Sequence, residues 1–324
     1  MSTYEKRYLT FEEQLELIKS RGLEVTDDEM ALDYLRRLGY YHLSAYWYSF
    51  RQITPTTDAN KTGTNPSRSS EFIPGYSFQH AVELYVFDKR LRLLLLDAIE
   101  RIEVAIRVDV AYLLGSRDSF AHSNPELLHG KFTKRINPKT EKTEYETWIT
   151  KHEKKEKSAK DDFARHFREK YGFPLPIWVA VELWDFGMLS MFYQGMKIAD
   201  KASIAARYAI PDWQLMESWL RSLNFIRNVT AHHGRLWNRN LIDQPKLPKI
   251  GEIPSFDLLI QVPGIQSRLY ADLCIMIYFM KQICPNSSWI SRLRDLIESF
   301  PTVPNLSIGD MGFPPDWQSH DFWA

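Results

Sequence analysis

Cysteine is scarce in this chain, with only Cys274 and Cys284 among 324 residues, both in an apolar segment. That excludes a disulfide framework and leaves no C-x-x-C string for a structural zinc site, so the pair reads as two reduced core cysteines of a cytosolic protein. No apolar run is long enough to span a bilayer, and the opening MSTYEKRYLTFEEQ has no apolar signal core. A cytoplasmic protein without a membrane partner is expected. Charge of one sign is missing too: 41 Lys+Arg balance 41 Asp+Glu, so any basic surface must be local. There is no Gly-rich phosphate loop, dinucleotide fingerprint, nucleophile elbow or H-E-x-x-H string, and therefore no expected cofactor or metal. His122, His129, His152 and His166 lie in charged or loop segments without ligand spacing. Internal repeats and a convincing series of strands are also lacking.

What remains is helical. Hydrophobic residues at 44% and aromatics at 14% supply a core. Thr10 with Glu13 and Thr26 with Glu29 fit capping boxes for helices over 11–21 and 27–38, with Gly22 and Gly39 as stops. The aromatic run Tyr40–Tyr48 reads as a packed third helix. Residues 54–70 have turn-forming composition. From Ser77 to Leu114 there is neither Pro nor Gly, and Leu84, Phe87, Leu91, Leu95, Ala98, Ile102 and Ile106 recur at helical spacing, which predicts one long helix. A charged helix over 141–171 follows, with Glu153/Lys157, Glu156/Lys160 and Asp161/Arg165 as i,i+4 pairs on a solvated face. Further helices are expected over 177–196, 198–208, 211–233 (with Pro211 in its first turn), 264–284 and 288–300. The organisation expected is a helical module over 1–52, a flexible loop over 53–76, a helical core over 77–300 with a charged insertion near 131–173, and an extended tail over 301–324. The fold class is all-α.

The chemistry concentrates in RSLNFIRNVTAHHGRLWNR, residues 221–239. From Ser218 to Ile242 there is no Asp or Glu, yet there are four arginines (Arg221, Arg227, Arg235, Arg239) and the adjacent pair His232-His233. On a helix Arg227 shares a face with Met216, Leu220 and Leu223, where an unpaired guanidinium needs a partner or a purpose. Asn224, Asn228 and His232 form a neighbouring stripe. Histidine exchanges protons near neutral pH, and arginine binds phosphate oxygens without losing its charge, so the set suits metal-independent cleavage of RNA. The residue types alone also permit a structural reading, an Arg paired with a carboxylate and a His capping carbonyls. Trp219 reads as core, and Trp237 as either core or a base-stacking platform. On the long helix Glu100, Glu103 and Arg107 share a face. Either Glu100 or Glu103 pairs with Arg227 while Arg107 helps to bind phosphate, or the three form a surface salt-bridge stripe.

Arg227-Asn228-Val229-Thr230-Ala231-His232 resembles the Arg-x-x-x-x-His motif of HEPN ribonucleases. The wider string RNVTAHHGRLWNR, with YLTFEEQLELIKSRGL, LRRLGYYHLSAYWYSFR, DAIERIEVAIR and MGFPPDW, resembles the Abi-like (AbiD/AbiF-like) abortive-infection proteins. That resemblance implies a HEPN-type helical bundle and a homodimer that joins two motifs into one RNA-cleaving site. It implies a role in bacterial defence against phage, in some members with a structured non-coding RNA. It implies Arg227 and His232 as catalytic residues with Asn228 in support, while His233, Arg235 and Trp237 match the wider string. The competing expectation is a non-catalytic RNA-binding protein that holds a non-coding RNA or a toxin partner.

Overall fold

The computed structural model describes residues 7–54 and 68–323. Fourteen α-helices and two small antiparallel hairpins account for the regular structure of these residues, an all-α fold. They divide into two compact units: residues up to Arg92 with Leu293–Asp310, and Leu93–Arg292 with the residues from Met311 on. The division passes through the long helix, between Arg92 and Leu93.

In the first unit, α1 (Phe11–Ser20) opens in a reciprocal box, with Thr10 Oγ1 accepting from Glu13 N–H at 3.2 Å and Glu13 returning the bond at 2.9 Å. The cap of α2 (Asp28–Leu38) is Asp27 and not Thr26, because the aspartate carboxylate accepts the Met30 N–H and adds negative charge to the helix start. Gly39 separates α2 from α3 (Tyr40–Trp47), whose Leu43, Tyr46 and Trp47 are buried. Strand β1 (Arg51–Ile53) pairs with β2 (Arg68–Phe72), so the chain of the expected 53–76 loop is partly strand, and its centre, 55–67, lies outside the described residues. Helix α4 (Phe78–Gly115) begins in this unit. Its buried Asp88 accepts from the Tyr46 hydroxyl at 2.8 Å and pairs with Arg92 one turn on, a satisfied network of the kind a core charge requires.

In the second unit α4 continues to Gly115, about 57 Å of helix at 1.5 Å per residue over its 38 residues. Next come α5 (Gly130–Lys134), the hairpin of β3 (Ile136–Asn137) and β4 (Lys142–Thr143), then α6 (Glu144–Ser158) and α7 (Asp162–Tyr171). The charged stretch is thus two helices, since Ala159 and Asp161 are extended. Glu153–Lys157 forms as expected at 3.7 Å, but Glu156 turns inward to accept the Leu175 N–H, and Arg165 pairs with Asp162.

Four residues of helix, α8 (Ile177–Ala180), end in a 3-10 turn before α9 (Phe186–Gly195). The segment 177–196 breaks at Trp184-Asp185, because the Trp184 indole is buried against Trp148 and Phe192, and Asp185 caps α9. Helices α10 (Ile198–Arg207), α11 (Trp213–Ala231), α12 (Asp257–Ile260), α13 (Leu269–Ile283) and α14 (Trp289–Glu298) complete the series. Pro211 precedes the α11 cap, Asp212, rather than sitting in the first turn. Helix α13 is buried on nearly every side, and α11 packs between it and α9. Cys274 is buried in α13, and both cysteines are free. No helix among the described residues is long and apolar enough to cross a membrane.

Candidate active site

Helix α11 carries the motif, and its two ends explain its placement. Asp212 caps the start by accepting the Gln214 N–H at 2.8 Å, while Leu215, Met216, Trp219, Leu220, Leu223 and Ile226 bury the inner face. Ser222 donates to the buried Asp272 on α13 at 2.5 Å. Burial pushes that carboxyl up to about 8, against the pull of the Ser222 hydrogen bond.

The helix ends in a Schellman arrangement. His233 N–H donates to Thr230 at 3.1 Å and Gly234 N–H to Val229 at 2.9 Å. Gly234 is the evident stop in the sequence, yet the left-handed position is taken by His233, at φ +58°. Glycine is usual there, because a Cβ makes this conformation costly. His232 is therefore the C-cap, and both histidines stand exposed at the last turn.

Arg227 is half-buried, as its place on the apolar face requires, and among the described residues it makes no ion pair. Its electrostatic neighbour is Glu103 on α4. Burial pushes the Glu103 carboxyl above its ordinary range, Arg107 and then Arg227 pull it down, and Asp185 and Glu100 add to the push. The expected pairing is thereby divided: the direct partner of Glu103 is Arg107, and Arg227 acts on it from outside contact range. Arg107 also donates to the Trp184 carbonyl and lies 3.9 Å from Glu182, so it is largely committed within the protein. Glu100 is exposed on the same helix.

The remaining residues fall around this centre. Asn228 is exposed one turn before His232, with its backbone carbonyl accepting the His232 N–H at 3.0 Å. Arg221 lies three turns away, 4.0 Å from Asp243. Arg239 folds back over the helix end, donating to the Arg235 carbonyl at 2.9 Å. Arg235 is half-buried in that same turn. Trp237 is fully buried and offers no stacking face, and Trp219 stacks on Phe256 in the core.

Two residues not singled out in the sequence, Asp185 and Gly187, join Asn224 at the site. Asp185 accepts from Lys151 and from Lys155, each at 3.0 Å. Burial would raise its carboxyl, but the Lys151 hydrogen bond, the Met188 N–H and Lys155 hold it at about 2. Gly187, in the first turn of α9, lets Asn224 come close: a Cβ there would lie 3.3 Å from both Asn224 Oδ1 and Asp185 Oδ1. Asn224 Oδ1 is buried with no hydrogen-bond partner among the described residues. An i,i+4 lysine pair and a D-x-x-M cap were visible in the sequence; their meeting was not.

A family model described as Abi-like protein matches residues 33–238, well over half of the chain. The chain belongs to the Abi-like protein family. The matched span takes in α4, α6, the Asp185 turn and the motif helix, while Arg239, Asp243 and Asp272 lie beyond it. Comparison with curated proteins and with solved structures gives no match.

Proposed function

We propose that this Abi-like protein is a metal-independent endoribonuclease of the HEPN type, acting in abortive-infection defence against phage, with an active centre completed by a second copy of the chain. The observation that carries the reading is the half-buried Arg227 without an ion pair, on the helix whose last turn exposes His232. A guanidinium kept out of contact with a carboxylate at this depth is available to an anionic ligand. In the reaction an imidazole takes the proton of the 2′-OH and the 2′-oxygen bonds to phosphorus. The bond to the 5′-oxygen breaks, and that oxygen takes a proton from a second acid. The products are a 2′,3′-cyclic phosphate and a 5′-hydroxyl. Arg227 stabilises the charge on the phosphorus oxygens, and Asn228 supports the turn that holds His232.

Acid and base are two groups, and each chain places one motif histidine at the site, which is why a second copy is invoked. Exposed apolar residues beside the site support that contact. On the outer face of α4, Val104, Val108 and Tyr112 recur every four residues and remain 46%, 55% and 76% exposed. Val108 and Tyr112 share a groove with Trp178 and with Glu182, the acid that approaches Arg107. Contiguous apolar surface of this kind marks a protein contact.

The deciding experiment is incubation of wild type and His232→Ala with total RNA in EDTA, followed by end-group analysis. Cleavage by the wild type alone, with 5′-hydroxyl ends, is expected; 5′-phosphate ends would overturn the mechanism. A single motif histidine per chain also fits a second reading, a non-catalytic RNA binder that holds a structured non-coding RNA or a toxin partner. Under it the protein stays uncleaving in every preparation, and substitutions at Arg227, Arg235 and Arg239 weaken RNA binding.

A further inference from the structure

Helix α6 looks in sequence like any solvated charged helix. In the fold it presents Lys151 and Lys155, one turn apart, to the turn that begins α9, and both ammonium groups converge on a single carboxylate oxygen of Asp185. One acid thus faces two bases, leaving an excess positive charge at this point. The lysine side chains remain 53% and 36% exposed, so the site is open to a ligand. Each ammonium has three donors, of which the bond to Asp185 uses one. Asp185 is also tied to the candidate active site: its Oδ1 borders Gly187 together with Asn224, one turn before Asn228 on α11, and its charge is felt at Glu103. Lys154 follows on the same side of α6.

Ordinary capping of α9 does not require this arrangement. Asp185 caps the helix through Oδ1, which accepts the Met188 N–H at 2.8 Å, while the lysines gather on Oδ2. A neutral asparagine would cap as well. The lysines are in turn not needed for burial, since the inner face of α6 is made by Trp148 and His152.

We propose that Lys151 and Lys155 form a binding site for the phosphate backbone of single-stranded RNA, leading the strand toward Arg227 and His232, with Asp185 holding the two ammonium groups in place until phosphate replaces it. The inference rests on the ribonuclease reading above, for which RNA is the ligand. Phosphate oxygens and a carboxylate compete for the same donors, so Asp185 sets the occupancy of the site and weakens binding while it orders the lysines.

The test uses the full chain carrying His232→Ala, so that binding is read without cleavage, and a labelled single-stranded oligouridylate as probe. Affinity is measured across a salt series. Lys151→Gln with Lys155→Gln should weaken binding at least tenfold. It should also lower the slope of log affinity against log salt by about 0.7 for each phosphate that is no longer neutralised. Arginine at both positions should restore affinity and slope. Asp185→Asn, which keeps the cap, should tighten binding severalfold. If the His232→Ala parent binds no RNA, the ribonuclease reading itself fails. If the parent binds and the double glutamine variant, with an unchanged melting temperature, shows the same affinity and slope, the lysine site is overturned and the reading stands. Weaker binding by a folded Asp185→Asn would likewise overturn it, because Asp185 would then serve the RNA rather than compete with it.

Discussion

His232 and His233 stand exposed at the end of α11, whereas His122 and His152 face each other in a buried aromatic pocket with ring centroids 4.9 Å apart. Both pairs belong to the second unit, and Trp184 lines the buried one, its indole donating to His152 at 3.2 Å. The buried pair is held neutral. Desolvation drives His122 down to about 3, helped by His152, and His152 down to about 4. Neither ring nitrogen of His122 has a hydrogen-bond partner among the described residues. The contrast teaches that histidine in this protein does two jobs. At the end of α11 the ring stands open to solvent and to a ligand. Where tryptophans surround it, the ring is packing material that must stay uncharged.

The comparison breaks most visibly in activity. His232→Ala should reduce RNA cleavage by about 10²–10⁴-fold, the usual worth of a general acid or base, with a melting temperature within a degree or two of wild type. His152→Ala should do the reverse, destabilising the fold by about 2–4 kcal/mol as a cavity opens beside Trp148 and Trp184. A His152→Ala protein that melts like wild type and has lost cleavage would transfer the chemistry to the buried pair. Arg227→Lys should still lose about 10²-fold in cleavage, because an ammonium cannot hold two phosphate oxygens as a guanidinium does. Near-complete activity in the lysine variant would reduce Arg227 to a simple charge.

A second pair of effects, smaller and in stability, has opposite signs with pH. The folded-state values of His122 and His152 lie below the usual 6.5, so their contribution is complete above that pH and is lost as pH falls toward 4 and 3. Asp272 behaves oppositely. Its folded-state value is raised from 3.8 to about 8, so stability falls as pH rises between those values. Asp272→Asn should therefore stabilise the protein by more than about 1 kcal/mol above pH ~8 and by progressively less below it. Denaturant melts across pH check both limbs, and an Asp272→Asn protein less stable than wild type at alkaline pH would show that the Ser222 hydrogen bond outweighs the burial of charge.

Much of the fold was legible in the chain alone, and the reason is periodicity. Helix α4 and helix α11 carry apolar residues at helical spacing over many turns, so their extent and inner faces follow from the order of residues. The half-burial of Arg227 followed from the same geometry. The breaks at Ala159 and at Trp184-Asp185 were not legible, because neither contains Pro or Gly. Each is imposed by tertiary contact, Glu156 turning toward Leu175 and Trp184 burying its indole. Lys151 and Lys155 were hidden for a related reason. Lysines in a charged run look alike until a carboxylate distant in sequence selects two of them.

The smallest expected effect joins structure to chemistry at one residue. His233 occupies a left-handed position at φ +58°, next to a glycine that could have been recruited for it. A side chain there costs about 1–2 kcal/mol, which His233→Gly should partly return as a higher melting temperature. If the His233 imidazole contacts RNA, the same variant should lose affinity while gaining stability, and the strained backbone then has a functional reason. His233→Asn separates the two contributions, since asparagine tolerates this conformation better than most residues and carries no charge. A glycine variant that is both more stable and fully active would leave only His232 to distinguish the exposed histidine pair from the buried one.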